Sequence, residues 1–176
     1  VKIAQGKSVL VKTSMENNFC LTAEQLEEVI TPNTKLLMLC TPNNPTGSVY
    51  TYENLKAIVE VLKKHPQIIV LADEIYQHIL YTGKHETLAQ FPELEDRLII
   101  INGVSKAYAM TGYRIGWLAC HDKEFITAVK RLQGQTISCA TTIAQKAAEA
   151  AYAGPQECVE EMRQAFERRR NLIVGL

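Results

Sequence analysis

Hydrophobic positions along this chain follow two different periods. Residues 36–40 (Leu-Leu-Met-Leu-Cys), 68–72 (Ile-Ile-Val-Leu-Ala) and 98–101 (Leu-Ile-Ile-Ile) are short, wholly apolar runs bounded by polar or turn residues. Such runs are the pattern of strands buried on both faces. Residues 115–119 read as another strand, and residues 8–13 (Ser-Val-Leu-Val-Lys-Thr) as one ahead of them all. Between the runs the period changes. Leu55, Ile58, Val59 and Leu62 recur at helical spacing behind Thr51 as N-cap, and Pro66 lies beyond the end. Thr22, with Gln25 three residues on, predicts a capping box and a helix to about Ile30. After Asp122 the pattern is helical over 123–133, 141–152 and 155–174.

Strands alternating with helices imply parallel βαβ units. The expected fold is therefore α/β, three layers in α/β/α order around a mainly parallel sheet. In such folds ligands bind beyond the carboxyl ends of the strands, so the residues after each apolar run carry the chemistry. After residue 40 comes Thr41-Pro42-Asn43-Asn44-Pro45-Thr46-Gly47. This composition makes a rigid turn, with an X-Pro bond that is a candidate for cis, and it holds the Asn44 carboxamide over the sheet edge. After residue 72 comes Asp73-Glu74-Ile75-Tyr76. Asp73 is either the N-cap of a short helix or a carboxylate waiting for a cation or donor, and one helical turn puts Tyr76 beside it. After residue 101 comes Asn102-Gly103-Val104-Ser105-Lys106, followed by Arg114 beyond a glycine turn. A lone lysine is ordinarily a solvated surface charge. Here it is flanked by small residues and falls at the same sheet edge as the other groups.

Composition removes other classes. The chain has 176 residues, 47% hydrophobic and 22% charged, with a formal net charge of +0. That size fits one domain or part of a larger one. Neutrality gives no footprint for nucleic acid or a membrane surface, and no apolar run reaches the roughly 18 residues of a span. Five cysteines at irregular spacing, without C-x-x-C, argue against a disulfide framework and a zinc site, and suit the cytoplasm. The four histidines are scattered, so no metal is expected. Neither G-x-G-x-x-G nor a P-loop occurs. The chain opens without methionine and stops inside a helical pattern, and is read as a piece of a longer one.

An imine-forming amine, a carboxylate, a phenol, a carboxamide and a guanidinium at one sheet edge are the groups that pyridoxal phosphate requires. Its aldehyde needs a lysine amine. Its pyridine nitrogen needs an acidic partner, its ring oxygen needs donors, and its phosphate needs a cation and hydroxyls. The runs 41–47, 72–76 and 102–116, including Ser-Lys-x-x-x-Met-Thr-Gly-x-Arg-x-Gly, resemble class I/II aminotransferases of pyridoxal-phosphate fold type I, the bacterial aspartate aminotransferase group above all. The resemblance covers essentially the whole chain.

That resemblance implies the following roles. Lys106 holds the cofactor and shuttles the proton, Asp73 pairs with the pyridine nitrogen, and Tyr76 and Asn44 hydrogen-bond the ring oxygen. Arg114 binds the phosphate with help from Ser105. Lys106, Asp73 and Tyr76 are the catalytic candidates. Gly103 stands where some members have a serine for the phosphate, and Tyr113 where many have tryptophan. Residues 1–153 would be part of the large, cofactor-binding domain and residues 154–176 a helical connector toward a small domain. Members are roughly twice this long, beyond a usual single core. They carry upstream a glycine-rich phosphate turn and a ring-stacking aromatic, and downstream an arginine for the substrate carboxylate. The expected whole is a cytoplasmic homodimer acting on an amino acid such as aspartate and a 2-oxo acid such as 2-oxoglutarate, and this piece alone is expected to be inactive. The same scaffold serves other reactions, carbon–sulfur lyases among them, and pyridoxal-phosphate-fold sensor domains of transcription regulators.

Overall fold

A computed structural model describes residues 1–176. Four strands, β1 (Leu36–Cys40), β2 (Ile69–Asp73), β3 (Leu98–Gly103) and β4 (Gly116–Ala119), form one sheet in the order β1-β2-β3-β4. The first three are parallel. β4 returns antiparallel on β3, with Ile100 opposite Ala119 and Gly103 opposite Gly116. The mainly parallel α/β architecture expected from the sequence is present. At its end the two glycines allow a close approach: a Cβ on Gly103 would lie 2.9 Å from the Gly116 Cα and from the Ile115 carbonyl oxygen. A side chain at position 103 would need the β3–β4 backbone to shift apart.

Five helices accompany the sheet: α1 (Ala23–Val29), α2 (Tyr52–Lys63), α3 (Lys123–Thr136), α4 (Thr142–Ala153) and α5 (Glu157–Val174). Thr22 and Gln25 form the expected capping box on α1, and Thr51 with Asn54 does the same for α2. Leu55, Ile58, Val59 and Leu62 of α2 are buried in one cluster with Leu39, Val70, Ala72 and Leu98 of the strands. Each such side chain contributes about 1.5–3 kcal/mol by leaving water. Arg97, just before β3, donates to the carbonyls of Leu62 (2.8 Å), His65 (2.8 Å) and Ile68 (3.1 Å), and so ties the end of α2 to the start of β2. The opposite face of β1 and β2 is open in this chain, with Leu36, Met38 and Ile69 exposed.

The expected strand over residues 8–13 does not form. The segment pairs with none of the four strands, and Val9 and Leu10 are exposed. A strand exists only as a member of a hydrogen-bonded ladder, and local pattern cannot supply the neighbour. α5 is anchored on the body of the domain. Arg163 Nη1 donates to the Leu80 carbonyl at 3.2 Å, and the Arg170 guanidinium stands 4.7 Å over the Tyr81 ring. No helix is long and apolar enough to cross a membrane.

Candidate functional site

Three loops leave the carboxyl ends of β1, β2 and β3 on the same edge of the sheet. The first is held by Asn43. Its backbone N–H donates to the Ser48 carbonyl, its carbonyl accepts from Gly47 N–H, and its side-chain Oδ1 accepts from the Thr46 hydroxyl at 2.9 Å. Gly47 has φ 70°, the left-handed turn glycine tolerates. The Thr41–Pro42 and Asn44–Pro45 bonds are both cis. Asn44 is carried at the exposed tip, and its Nδ2 donates to the Tyr76 hydroxyl at 3.1 Å.

The second loop starts at Asp73, the last residue of β2, which stands laterally between Cys40 of β1 and Ile101 of β3. Asp73 Oδ1 accepts from the Ile75 N–H at 3.2 Å, and bonds from Gln77 N to Glu74 O and Ile79 N to Tyr76 O complete a tight double turn. The side chain therefore caps a turn rather than a helix, and its Oδ2 is left without a partner from the chain. Burial, the largest cause, pushes the neighbouring Cys40 thiol up, and the Asp73 charge adds to the effect against a backbone hydrogen bond from Asn44. Cys40 thus stays a neutral thiol, no nucleophile at neutral pH.

The third loop begins at Val104. Val104 and Ala107 are buried and anchor the turn, while Ser105 and Lys106 between them are half-exposed. Lys106 Nζ stands 5.5 Å from the centroid of the Tyr76 ring and pairs with no carboxylate. Tyr76 is thus the bridge of the site: its hydroxyl meets Asn44 and its ring face meets Lys106. A cation over a tyrosine face is worth about 0.5–1 kcal/mol at an exposed position, enough to bias the rotamer.

Two residues from the expected set stand apart. Arg114 follows a short 3-10 helix in left-handed backbone (φ 53°), and its Nη1 donates to the Thr111 carbonyl at 2.9 Å. Its guanidinium meets none of Asn44, Asp73, Tyr76 and Lys106. The Ser105 hydroxyl makes no hydrogen bond. Ala109, also at φ 53°, makes two non-glycine residues in left-handed backbone within this loop. Each is a conformation that costs of order 1 kcal/mol and collects at ligand-holding segments.

Sequence reasoning assigned nothing to a second group behind the Asp73 turn. Glu74 is 4% exposed, its Oε1 accepts from the Thr87 hydroxyl at 2.6 Å, and its Oε2 lies 3.1 Å from His85 Nε2. The only signal was an acidic residue one step beyond an apolar strand. Its partners lie 11 and 13 positions away, too far for any local pattern to join them.

The whole chain, residues 1–176, matches the family model for aminotransferase class I and II. It is 49% identical over 175 residues to the aspartate aminotransferase of Geobacillus stearothermophilus, covering 98% of this chain and 44% of that protein. It is 43% identical over 177 residues to the aspartate/prephenate aminotransferase of Nitrosomonas europaea, covering 99% and 44%. The crystal structure of the aspartate aminotransferase from Rhizobium meliloti superposes with a TM-score of 0.94 at 43% identity, over 98% of this chain and 44% of that one. The chain spans less than half the length of these relatives.

Proposed function

The chain belongs to the aminotransferase class I and II family, and on that premise we propose that the whole protein is a pyridoxal-phosphate-dependent aminotransferase whose cofactor lysine is Lys106. The observation that carries this reading is the unspent chemistry at one sheet edge. A lysine amine without a carboxylate partner faces the Tyr76 ring, Asn44 fixes the Tyr76 phenol, and Asp73, with one free oxygen, ends the neighbouring strand on the same sheet edge. That donor set fits the cofactor: amine for aldehyde, carboxylate for pyridine nitrogen, phenol proton for ring oxygen.

When bound, the cofactor supplies an electron-withdrawing ring that takes up charge from the substrate α-carbon. The chain's own residues do the rest. Lys106 would hold the cofactor through its aldehyde, and its amine, freed when the substrate amine takes that place, would accept the α-carbon proton and carry it onward. Asp73 would keep the pyridine nitrogen protonated, with its Oδ1 kept aligned by the Ile75 N–H. Tyr76 would offer its phenolic proton to the ring oxygen, and the Asn44 amide fixes that hydroxyl by donating to its oxygen. Ser105 and Arg114 serve the phosphate. Arg114 has donors to spare for it beyond the one bonded to Thr111, since a guanidinium carries five.

Residues 1–153 are read as the cofactor-binding domain and residues 154–176 as the connector toward a second domain. The whole protein is read as a cytoplasmic homodimer, consistent with five free cysteines. Its substrates are an amino acid, aspartate or one close to it, and a 2-oxo acid such as 2-oxoglutarate. The test is a comparison of amino-donor turnover with 2-oxoglutarate against pyruvate release from cysteine conjugates, both on the full-length protein. Amino transfer to 2-oxoglutarate is expected; pyruvate release as the faster reaction would replace the aminotransferase reading with a lyase.

A further inference from the structure

Glu74 is a buried carboxylate for which the proposed chemistry has no use. It follows Asp73 directly, and successive residues of extended chain point to opposite sides. Asp73 is therefore turned toward the candidate site while Glu74 enters the protein, where it is 4% exposed. A carboxylate in such a place is costly unless it is met by donors. It is met by two side chains from one segment. The Thr87 hydroxyl donates at 2.6 Å, and His85 Nε2 stands 3.1 Å away without a well-directed hydrogen bond. The backbone N–H of Glu74 donates to the Ile101 carbonyl at 2.9 Å, extending the β2–β3 ladder one residue past the strand.

These contacts join the residues that flank an excursion of the chain, residues 75–84. Inside it are the Ile75 N–H that aligns Asp73 and the Tyr76 ring that faces Lys106. The closure fixes the root of the double turn, while Arg163 and Arg170 of α5 hold its far end at Leu80 and Tyr81. Thr87 is itself fixed, because its hydroxyl also accepts from Ala89 N–H at 3.1 Å at the start of the next 3-10 helix.

We propose that Glu74, held by Thr87 and His85, is a positioning residue: it locks the turn whose Ile75 N–H aims the Asp73 carboxylate at the cofactor. This rests on the pyridoxal-phosphate reading above. Its effect passes through Asp73, so it disappears when Asp73 can no longer act. The dissociation constant for pyridoxal phosphate, followed by absorbance of the bound cofactor in the full-length protein, reads this directly. Thr87→Val and Glu74→Gln are each measured alone and in an Asp73→Asn background, where Lys106 still attaches the cofactor and affinity stays measurable. Each single substitution weakens binding about five- to tenfold, and less than twofold in the Asp73→Asn background. Thr87→Ser keeps the hydroxyl and stays within twofold of the wild type. Equal losses in both backgrounds, or no loss from either substitution, overturn the proposal and leave the aminotransferase reading standing. A wild-type protein that binds no pyridoxal phosphate sinks the aminotransferase reading instead. Should Thr87→Val fail to fold, Glu74→Gln carries the same cycle.

Discussion

Replacing Tyr76 with phenylalanine removes one oxygen and keeps the ring. The hydrogen bond from Asn44 Nδ2 at 3.1 Å is lost, and the ring face 5.5 Å from Lys106 Nζ remains. Two magnitudes compete. If the hydroxyl only braces Asn44, it is an exposed neutral hydrogen bond worth about 0.5–1.5 kcal/mol. If it also donates to a charged ring oxygen, that bond is worth about 1.5–3 kcal/mol, or about ten- to a hundredfold in kcat/KM. A double-mutant cycle separates them. With Asn44→Ala already in place the bracing bond is gone, so a bracing hydroxyl has nothing left to lose. A hydroxyl aimed at the cofactor still loses its larger share. The assay is steady-state transamination by the full-length protein carrying each substitution singly and both together. Tyr76→Phe is expected to cost about tenfold or more even in the Asn44→Ala background. No further loss there would refute the placing of Tyr76 at the reacting groups.

Two stability predictions follow from contacts away from the site. Arg97→Met removes the charged donor shared by three backbone carbonyls at the α2–β2 junction, and is expected to lower unfolding free energy by about 1–3 kcal/mol in denaturant titration; no measurable change would show that water replaces the guanidinium freely. Tyr50 accepts the Leu21 N–H at 2.7 Å, and burial, the first cause, pushes its phenol up to about 12. The folded state therefore holds this proton more tightly than the unfolded chain does. Its contribution is fully present below about pH 10, the ordinary phenol value, and is lost as pH rises through about 12. Tyr50→Phe is expected to flatten that alkaline fall in thermal stability, and an unchanged profile would assign the fall to other groups.

Much of the framework could be read from the pattern of side chains. The helical period of Leu55, Ile58, Val59 and Leu62 marks α2 because each of them enters the core, and the Thr51 cap marks its start. The apolar runs mark β1, β2 and β3 because their inner-face residues have no access to water. What was not legible depends on partners remote in sequence. Residues 8–13 have strand character and no strand beside them. The antiparallel return of β4 is set by the Gly103–Gly116 approach, which only coordinates reveal. In the candidate site, the positions of Asn44, Asp73 and Lys106 at strand ends followed from the runs before them. The bridging by Tyr76 did not, nor did the turning of Arg114 onto Thr111, since both depend on loop geometry. The Glu74–His85–Thr87 group escaped for the same reason.

The account turns on one amine. Borohydride reduction of the full-length protein with pyridoxal phosphate, followed by digestion and mass spectrometry, identifies the lysine that carries the cofactor. The expected result is a single pyridoxyl-modified peptide with the label on Lys106, absent from the Lys106→Ala variant. A label on a different lysine, or undiminished labelling of that variant, would contradict it.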